Sequence, residues 1–330
     1  MQTKRMGRTG LHVSEICMGT MTFGRQCDKA QSFAIMDAAV EGGIDFFDTA
    51  DVYPAGGGAE TAGLTEEIVG KWLKGRREDI VLATKCWGAM GDRPNDRGLS
   101  RKHIFSAVEA SLQRLQTDYI DLYQAHNIKL ADLEKDELFE TLEQLQFEGK
   151  IRYFGVAIGP DIGWQEEGEY SLTERQVRSA QIIYSLLEQD PAKRFIELAN
   201  DNEVGLLSRV PHASNTLTGE FDHGFPTFDP DDHRAHRKNE WLVESMRKVD
   251  RIRFLVQEES RSMAQAAIQF VLKPQAIVSV LPNFTTLAEL KEYTSAVDTP
   301  GITDEEQTKL DELWEHGFDL SEPEPQFREI

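Results

Sequence analysis

Residues 43–53 read GIDFFDTADVY, and this stretch joins a short apolar run to a group of polar side chains. The run Ile44–Phe47 has the length of a buried strand, whereas Asp48 directly after it is poorly suited to burial. Leu64–Lys74 then places apolar residues three and four apart, as in an amphipathic helix, and Ile80–Thr84 is a second apolar run. This order of strand, helix and strand is typical of a βα unit in a parallel sheet.

The same alternation continues along the whole chain. Further amphipathic stretches predict helices over Ala30–Glu41, Arg101–Leu115 and Leu133–Glu148. The predicted strands are Ile16–Thr20, Ile44–Phe47, Ile80–Thr84, Tyr119–Tyr123, Tyr153–Ile158, Gln181–Leu187, Val204–Leu207 and Ile277–Leu281. Eight such units predict an α/β fold, a (β/α)8 TIM barrel. The main competing fold is an open doubly wound sheet, but no G-x-G-x-x-G opens a helix after the first strand.

No Pro-, Gly- or Ser-rich linker divides the chain, so residues 1–330 are predicted to form a single barrel domain. Three segments are too polar or irregular for core elements: 87–99, 209–240 and the end of the chain from about Phe318. Because long loops at the catalytic face of a barrel tune its ligand choice, we expect the first two at that face. The run Glu166–Glu169 is expected to be a polar loop.

Composition restricts the class of protein. The formal net charge of −21 argues against a nucleic-acid partner, since phosphate binding depends on clustered Lys and Arg. This acidity indicates solubility, with salt adaptation as the alternative. No apolar stretch approaches the roughly 20 residues of a membrane helix, which predicts no membrane association. Cys17, Cys27 and Cys86 lack metal-like spacing, which predicts free thiols in a reducing cytoplasm and no metal site.

Polar residues stand at the ends of three successive predicted strands. Asp48 follows IDFF, Lys85 follows VLAT and His126 follows DLYQA, while Tyr53 lies five residues beyond Asp48. The carboxyl ends of the strands in a TIM barrel meet at one face and carry the chemistry. Each residue taken singly has an ordinary structural explanation, but together the four predict one active site.

These four residue types suit the reduction of a carbonyl group. Hydride transfer leaves negative charge on the oxygen, so the site needs a proton donor and nearby positive or hydrogen-bonding groups. Tyr53 can supply the proton, and an ammonium group on Lys85 would stabilise the phenolate that remains. Asp48 would keep a buried Lys85 charged, and His126 can form a hydrogen bond with the substrate oxygen.

These motifs resemble the aldo-keto reductase family over nearly the whole chain. GIDFFDTADVY is similar to the family's hallmark, and the similarity continues in the family's order through LTEEIVGKWL at 64–73, ATK at 83–85, YIDLYQAH at 119–126, GKIRYFGV at 149–156, QIIYSLLEQ at 181–189, GLLSRVPHASNTLTG at 205–219 and SVLP at 279–282. The resemblance implies an NAD(P)H-dependent oxidoreductase that binds its cofactor in extended form across the barrel mouth. It also implies the same catalytic residues: Asp48, Tyr53, Lys85 and His126.

The resemblance further implies which residues would contact the reacting end of the cofactor and the substrate. Gln181 would form a hydrogen bond with the nicotinamide carboxamide, Tyr184 would stack on the nicotinamide ring, and Asp48 would approach the adjoining ribose. Trp87 would line the substrate pocket together with His126.

Backbone in 207–219 would hold the pyrophosphate, and the segment after SVLP would hold the adenosine end. The residues implied for these two parts are Ser208, Arg209, Leu217, Pro282, Asn283, Thr285 and Glu289. Ala157 and Ile158 depart from the Ser-Asn pair that the family usually directs at the carboxamide. The basic residue expected at a 2′-phosphate falls at Thr285 or Thr286. A carboxylate near the ribose favours the cofactor without a phosphate, but NADP(H), the family's usual cofactor, stays ahead of NAD(H).

The leading hypothesis is therefore a reductase or dehydrogenase that acts on a small aldehyde, ketone or sugar. One alternative is a redox-neutral sugar-converting enzyme that retains its nicotinamide cofactor, and another is a cofactor-sensing regulatory subunit. The physiological substrate, the reaction direction and the oligomeric state stay open at this point.

Overall fold

The computed structural model describes residues 1–159, 164–175, 177–222, 224, 228, 232, 234, 239–257 and 260–320. Its strands are β1 (Thr3–Arg5), β2 (His12–Ser14), β3 (Met18–Gly19), β4 (Phe46–Asp48), β5 (Val81–Cys86), β6 (Ile120–His126), β7 (Ile151–Ala157), β8 (Ser179–Ile183), β9 (Gly205–Arg209) and β10 (Ile277–Leu281). Its α-helices are α1 (Lys29–Glu41), α2 (Leu64–Leu73), α3 (Arg101–Leu115), α4 (Leu130–Leu133), α5 (Asp136–Phe147), α6 (Gln165–Thr173), α7 (Ala192–Asn202), α8 (Asn239–Arg251), α9 (Met263–Leu272), α10 (Leu287–Thr294) and α11 (Asp304–Glu315).

Strands β3 to β10 form one eight-stranded parallel sheet in which each strand pairs with the next along the chain. The two edges of this sheet also meet. The Cys17 amide donates to the Val280 carbonyl at 2.8 Å, and the Val280 amide donates to the Glu15 carbonyl at 2.9 Å. Parallel bridges join Ile16 to Val280 and Gly19 to Asn283. The sheet therefore closes, and the predicted (β/α)8 TIM barrel is confirmed.

All eight predicted strands are present, but the first is shorter than Ile16–Thr20 because only Met18–Gly19 pairs as a strand. Two features were not predicted correctly. Strands β1 and β2 form an antiparallel hairpin beneath the barrel, where the Lys4 ammonium donates to the carbonyls of Leu272 and Ile277. The run Glu166–Glu169 lies inside α6, so its prediction as a loop was wrong. That helix forms because Leu172 on its other face is fully buried.

Apolar side chains form two layers. The larger layer lies between strands and helices, where Phe47 stacks on Trp72 of α2 with ring centroids 5.1 Å apart. The smaller layer fills the barrel interior with Met6, Val13, Cys17, Phe46, Ala83, Leu122, Leu207, Val278 and Leu281. Successive side chains on a strand point to opposite faces, so Asp48 shares the inward direction of Phe46. The interior is therefore apolar below and becomes polar toward the carboxyl ends of the strands.

The sequence predicts the positions of the long connections only in part. Residues 87–100 contain neither helix nor strand, and residues 211–222 are turns. The segment predicted as 209–240 begins one residue later, because Arg209 ends β9, and α8 already begins at Asn239. Much of 223–238 lies outside the described residues. At the end of the chain, Gly317–Asp319 is a 3-10 helix, and residues 321–330 lie outside the described residues.

The three cysteines are buried and form no disulfide, as predicted. In the part of the chain that the structure describes, no helix has the length and apolar character needed to cross a membrane. The same described residues contain no group of three or more His, Cys, Asp or Glu side chains placed to hold a metal ion.

The barrel interior should respond strongly to loss of an aromatic ring. Phe46→Ala removes a fully buried ring, and we expect the free energy of unfolding to fall by about 3–5 kcal/mol. Phe147→Ala makes the same chemical change at a side chain that is 93% exposed, so its effect should stay within about 0.5 kcal/mol. Urea unfolding followed by circular dichroism measures both. Equal losses in the two variants would contradict the assignment of the inner core.

Candidate active site

The strand register brings the predicted site residues to one end of the barrel. Asp48 ends β4, Lys85 lies near the end of β5, and His126 ends β6. Lys85 pairs in register with Gln124 of β6, and Ala157 of β7 pairs with Gln181 of β8. Because parallel strands end at the same edge, side chains from four different strands reach one space.

Asp48 is the centre of the hydrogen-bond network in that space. The Lys85 ammonium donates to Asp48 Oδ2 at 2.5 Å and to the Thr49 carbonyl at 2.7 Å. The side-chain amides of Gln124 and Gln181 donate to Asp48 Oδ1 at 3.0 and 3.2 Å. Asp48 is 3% exposed and Lys85 is fully buried. A buried ion pair is stable only when further hydrogen bonds satisfy its remaining atoms, and these bonds meet that requirement.

Lys85 carries its charge although it is buried. Burial alone would lower the pKa of Lys85, but the nearby Asp48 and Tyr53 raise it, and the net result is a pKa above the ordinary value for lysine. The side chain is therefore an ammonium ion at neutral pH. Its nitrogen lies 5.1 Å from the centroid of the Tyr53 ring.

His126 faces Tyr53 and is uncharged. The two rings meet edge to face with centroids 6.4 Å apart. Burial holds the pKa of His126 well below its usual range, and the positive charges of Lys85 and Arg209 lower it further. A neutral imidazole can form a hydrogen bond with a ligand oxygen, but it is not a proton source at neutral pH. The arrangement suits a reaction in which Tyr53 exchanges a proton with an oxygen atom held between Tyr53 and His126.

A cavity of about 460 Å³ opens at this end of the barrel. It extends from Asp48, Tyr53 and His126 past Gln181 and Arg209, and it reaches Asn283 after β10. All the predicted catalytic residues except the fully buried Lys85 line it directly. Of the residues predicted to contact a cofactor, Asp48, Gln181, Arg209 and Asn283 do so as well.

Several predicted contact residues lie outside this cavity. The Tyr184 ring stacks on Phe270 of α9 with centroids 5.2 Å apart. Gln181 and Ile183 at the end of β8 line the cavity, whereas Tyr184, the residue after the strand, does not. Trp87 is 38% exposed at the start of the 87–100 loop and does not line the cavity either.

Three more of the residues that were expected to contact a cofactor are buried in β9 or after β9 and β10. The Ser208 hydroxyl donates to the Tyr184 carbonyl at 2.9 Å, and Leu217 is fully buried in the outer apolar layer. Pro282 is also buried. These residues shape the backbone around the cavity, and their side chains do not line it.

Glu289 caps the N-terminal end of α10, a few residues after Asn283. Its Oε2 accepts hydrogen bonds from the Thr285 amide at 2.7 Å, the Thr285 hydroxyl at 2.8 Å and the Thr286 amide at 3.0 Å. The Thr286 hydroxyl in turn accepts from the Glu289 amide, which completes a capping box. Backbone amides at a helix start attract anions, and here a carboxylate of the chain itself occupies them.

Two features of the site were not predicted from the sequence. Gln124 was not singled out, although it stands two residues before His126 and therefore points to the same inward face. The turn 210–215, which lines the cavity, holds four residues other than glycine at positive φ: Val210, Ala213, Ser214 and Asn215. Such backbone conformations cost free energy and cluster at ligand-binding sites. No residue type in this stretch marks them beforehand except asparagine.

Comparison with known proteins agrees with this geometry. The model of the aldo/keto reductase family matches residues 15–315. YrpG of Bacillus subtilis, named as an uncharacterized oxidoreductase, is 34% identical over 90% of this chain and 91% of its own length. A rice protein named as a probable voltage-gated potassium channel subunit beta is 31% identical over 94% of this chain and 96% of its own.

A solved structure, the holo form of aldo-keto reductase AKR11C1 from Bacillus halodurans, is also similar. It superimposes with a TM-score of 0.77 at 31% identity, covering 95% of this chain and 96% of that one. The closed parallel barrel, the buried Asp48–Lys85 pair beneath Tyr53 and these matches lead to one conclusion: the chain belongs to the aldo/keto reductase family, and it is an oxidoreductase of the kind that uses a nicotinamide cofactor.

Proposed function

We propose that this protein reduces the carbonyl group of an aldehyde, ketone or sugar to an alcohol, or runs the reverse reaction, with Tyr53 as the general acid and base. The observation that carries the proposal is the charged Lys85, which Asp48 holds 5.1 Å from the Tyr53 ring. The ammonium group stabilises the phenolate left behind when Tyr53 gives up its proton. The nicotinamide cofactor, when bound, supplies or accepts the hydride.

Each residue has a separate task in this proposal. His126 donates a hydrogen bond to the substrate oxygen and orients it toward the Tyr53 hydroxyl. Tyr53 then donates its proton to the oxygen as negative charge develops there. Asp48 keeps Lys85 charged and fixed, while Gln124 and Gln181 prevent Asp48 from turning away. Burial of Asp48 and Lys85 limits water near the reacting oxygen and strengthens these interactions.

The residues present fit an elongated cofactor that carries an anionic middle part. The cavity extends from the proton-transfer centre to Asn283, and the 210–215 turn lies along it. We propose that Gln181 and Arg209 hold the nicotinamide end, the turn holds the pyrophosphate, and the segment 283–289 holds the adenosine. Ala157 and Ile158 offer no side-chain hydrogen bonds at the nicotinamide end, so backbone groups must replace them there.

We propose NAD(H) as the preferred cofactor, which reverses the order expected from the family resemblance. The support is the Glu289 carboxylate, which already accepts three hydrogen bonds at the start of α10. A 2′-phosphate in this place would have to displace Glu289 or suffer repulsion from it, whereas a 2′-hydroxyl can donate to it. The substrate is a small molecule, and the three free thiols support a reducing, cytoplasmic setting.

A second candidate is a cofactor-sensing subunit of a membrane channel. The observation in its favour is the similarity to the rice protein and to an Arabidopsis protein of the same name, 30% identical over 90% of this chain and 92% of its own length. The intact group of Asp48, Tyr53, Lys85 and His126 favours turnover instead.

Tyr53→Phe tests the proton-transfer role. The variant keeps the ring and loses the hydroxyl, so we expect kcat for carbonyl reduction to fall by about 10²–10⁴-fold while the Kd for the reduced cofactor changes little. Steady-state oxidation of NADH and NADPH with a panel of aldehydes, ketones and sugars measures this. Tyr170→Phe, the same change on α6 and away from the cavity, is the matched control. Full turnover in Tyr53→Phe would remove the proton-donor assignment.

The same assay on the parent protein distinguishes the two alternative functions, the regulatory subunit and the redox-neutral enzyme. Bound nicotinamide with negligible turnover on every carbonyl would favour the regulatory subunit. The redox-neutral enzyme would be favoured if the cofactor copurifies with the protein without exchanging and a sugar is converted when no cofactor is added to the buffer.

Glu289→Gln tests the cofactor preference. Removing the negative charge should lower the Kd for NADPH by about tenfold and leave the Kd for NADH within about twofold, because only NADPH brings a phosphate to this position. Titration of protein fluorescence with each cofactor gives both constants, and Glu140→Gln on α5 controls for the change in net charge. The cofactor proposal fails if the parent already binds NADPH more tightly than NADH.

A further inference from the structure

We propose that Asp51 is an uncharged carboxylic acid in the folded protein and that it positions Tyr53. It would be a positioning residue, since it acts through the segment that carries Tyr53 and does not line the cavity. The link to catalysis depends on the function proposed for Tyr53, whereas the charge state of Asp51 does not.

Asp51 is fully buried in a segment that backbone hydrogen bonds hold on both sides. The Thr49 amide donates to the Ala83 carbonyl at 2.9 Å, and the Asp51 amide donates to the Lys85 carbonyl at 3.1 Å, so this segment continues the pairing of β4 with β5. Two residues later the Tyr53 carbonyl accepts from the Thr65 amide at 3.3 Å, at the start of α2. The Asp51 side chain therefore lies between the barrel and α2, next to the attachment of Tyr53.

A second carboxyl group, Glu66 of α2, is also fully buried, and its charge acts on Asp51. Glu66 accepts hydrogen bonds from the Thr84 hydroxyl at 2.6 Å, the Ser111 hydroxyl at 3.1 Å and the Arg114 guanidinium at 2.7 Å. These donors satisfy Glu66 and compensate its charge. By distance and angle neither carboxyl oxygen of Asp51 has a hydrogen-bond partner among the described residues, although the neighbouring Val52 backbone amide lies close enough to favour the charged form.

An ionised Asp51 would be a second buried negative charge without a side-chain donor. Burial raises the pKa of Asp51 well above its usual range, and the Glu66 charge raises it further, while Arg114, the Val52 backbone amide and Lys85 oppose this to a smaller extent. The titratable and charged groups that act on Asp51 from the neighbouring elements are Glu66 of α2, Arg114 of α3, Cys86 of β5 and Tyr123 of β6, while Lys85 acts from the opposite face of β5. Burial also raises the pKa of Cys86 and of Tyr123, so neither adds a charge.

A neutral Asp51 lets α2 pack against the barrel and hold the Tyr53 carbonyl. Ionisation of Asp51 would add a second buried negative charge to the one on Glu66 and loosen residues 49–65. Reacting groups that are misplaced by about 1 Å lose on the order of 10²-fold in rate, so this segment must stay fixed for Tyr53 to act.

The free energy of unfolding should depend on pH because of the same ionisation of Asp51. The pKa of Asp51 is raised on folding, so above the ordinary value of about 3.9 the unfolded chain releases a proton that the folded chain keeps. Stability is therefore lost as the pH rises above that value, with the unfolding equilibrium constant increasing by up to about tenfold per pH unit, until Asp51 ionises in the folded state. Asp51→Asn has nearly the same shape and no proton to lose.

Urea unfolding of the parent and of Asp51→Asn between pH 5 and pH 9 tests the proposal. The difference in unfolding free energy should move steadily in favour of the variant as the pH rises, whereas the exposed Asp201→Asn should follow the parent. Hydrogen exchange, corrected for pH, should accelerate in residues 49–65 of the parent at pH 9 but not in the variant. At pH 7 the variant should keep kcat within about threefold of the parent. Parallel stability curves, or a large loss of kcat in the variant at pH 7, would overturn the proposal.

If Asp51→Asn does not fold, a measurement on the parent protein alone tests the proposal. Carbon-13 carboxyl resonances of labelled aspartate should include one that stays at the protonated position at pH 7. If all aspartate resonances have moved to the ionised position by that pH, Asp51 is charged and the proposal is wrong. The unfolding curves and the carboxyl resonances do not use turnover, so they distinguish failure of this inference from failure of the proposed function.

Discussion

The ion pair between Lys85 and Asp48 is the interaction on which the rest of the site depends. Removing two charges from water costs several kcal/mol per ion, and attraction alone does not offset this unless further hydrogen bonds are formed. Gln124, Gln181 and the Thr49 carbonyl supply those bonds. Their strands, β4, β5, β6 and β8, must therefore keep a fixed register, and closure of the barrel through Val280 enforces it.

Side-chain alternation then determines what each strand offers to the site. Phe46 and Leu122 fill the lower interior, and the inward positions that follow them are Asp48 and Gln124. The outward positions serve packing against helices, as Phe47 does on Trp72. A polar layer over an apolar layer separates the parts of the barrel that stabilise the fold from those that perform chemistry.

Two carboxylates outside the ion pair illustrate different uses of negative charge. Glu289 lies at a helix start, where two backbone amides and a threonine hydroxyl donate to it. Asp51 is fully buried and has no side-chain donor among the described residues, so its environment favours the protonated form. The presence or absence of donors, more than residue type, separates the surroundings of these two carboxyl groups.

The sequence by itself determined the eight βα units and the location of Asp48, Lys85 and His126 at strand ends, because periodicity and strand order are local properties of the chain. It also placed Tyr53 beside them, and the family resemblance agreed. Only the tertiary structure decided that Tyr184 stacks on Phe270, that Gln124 and Gln181 donate to Asp48, and that Asp51 and Glu66 are both buried. Those features depend on the exact ends of strands and on contacts between distant segments, and a difference of one residue in a strand reverses every side chain.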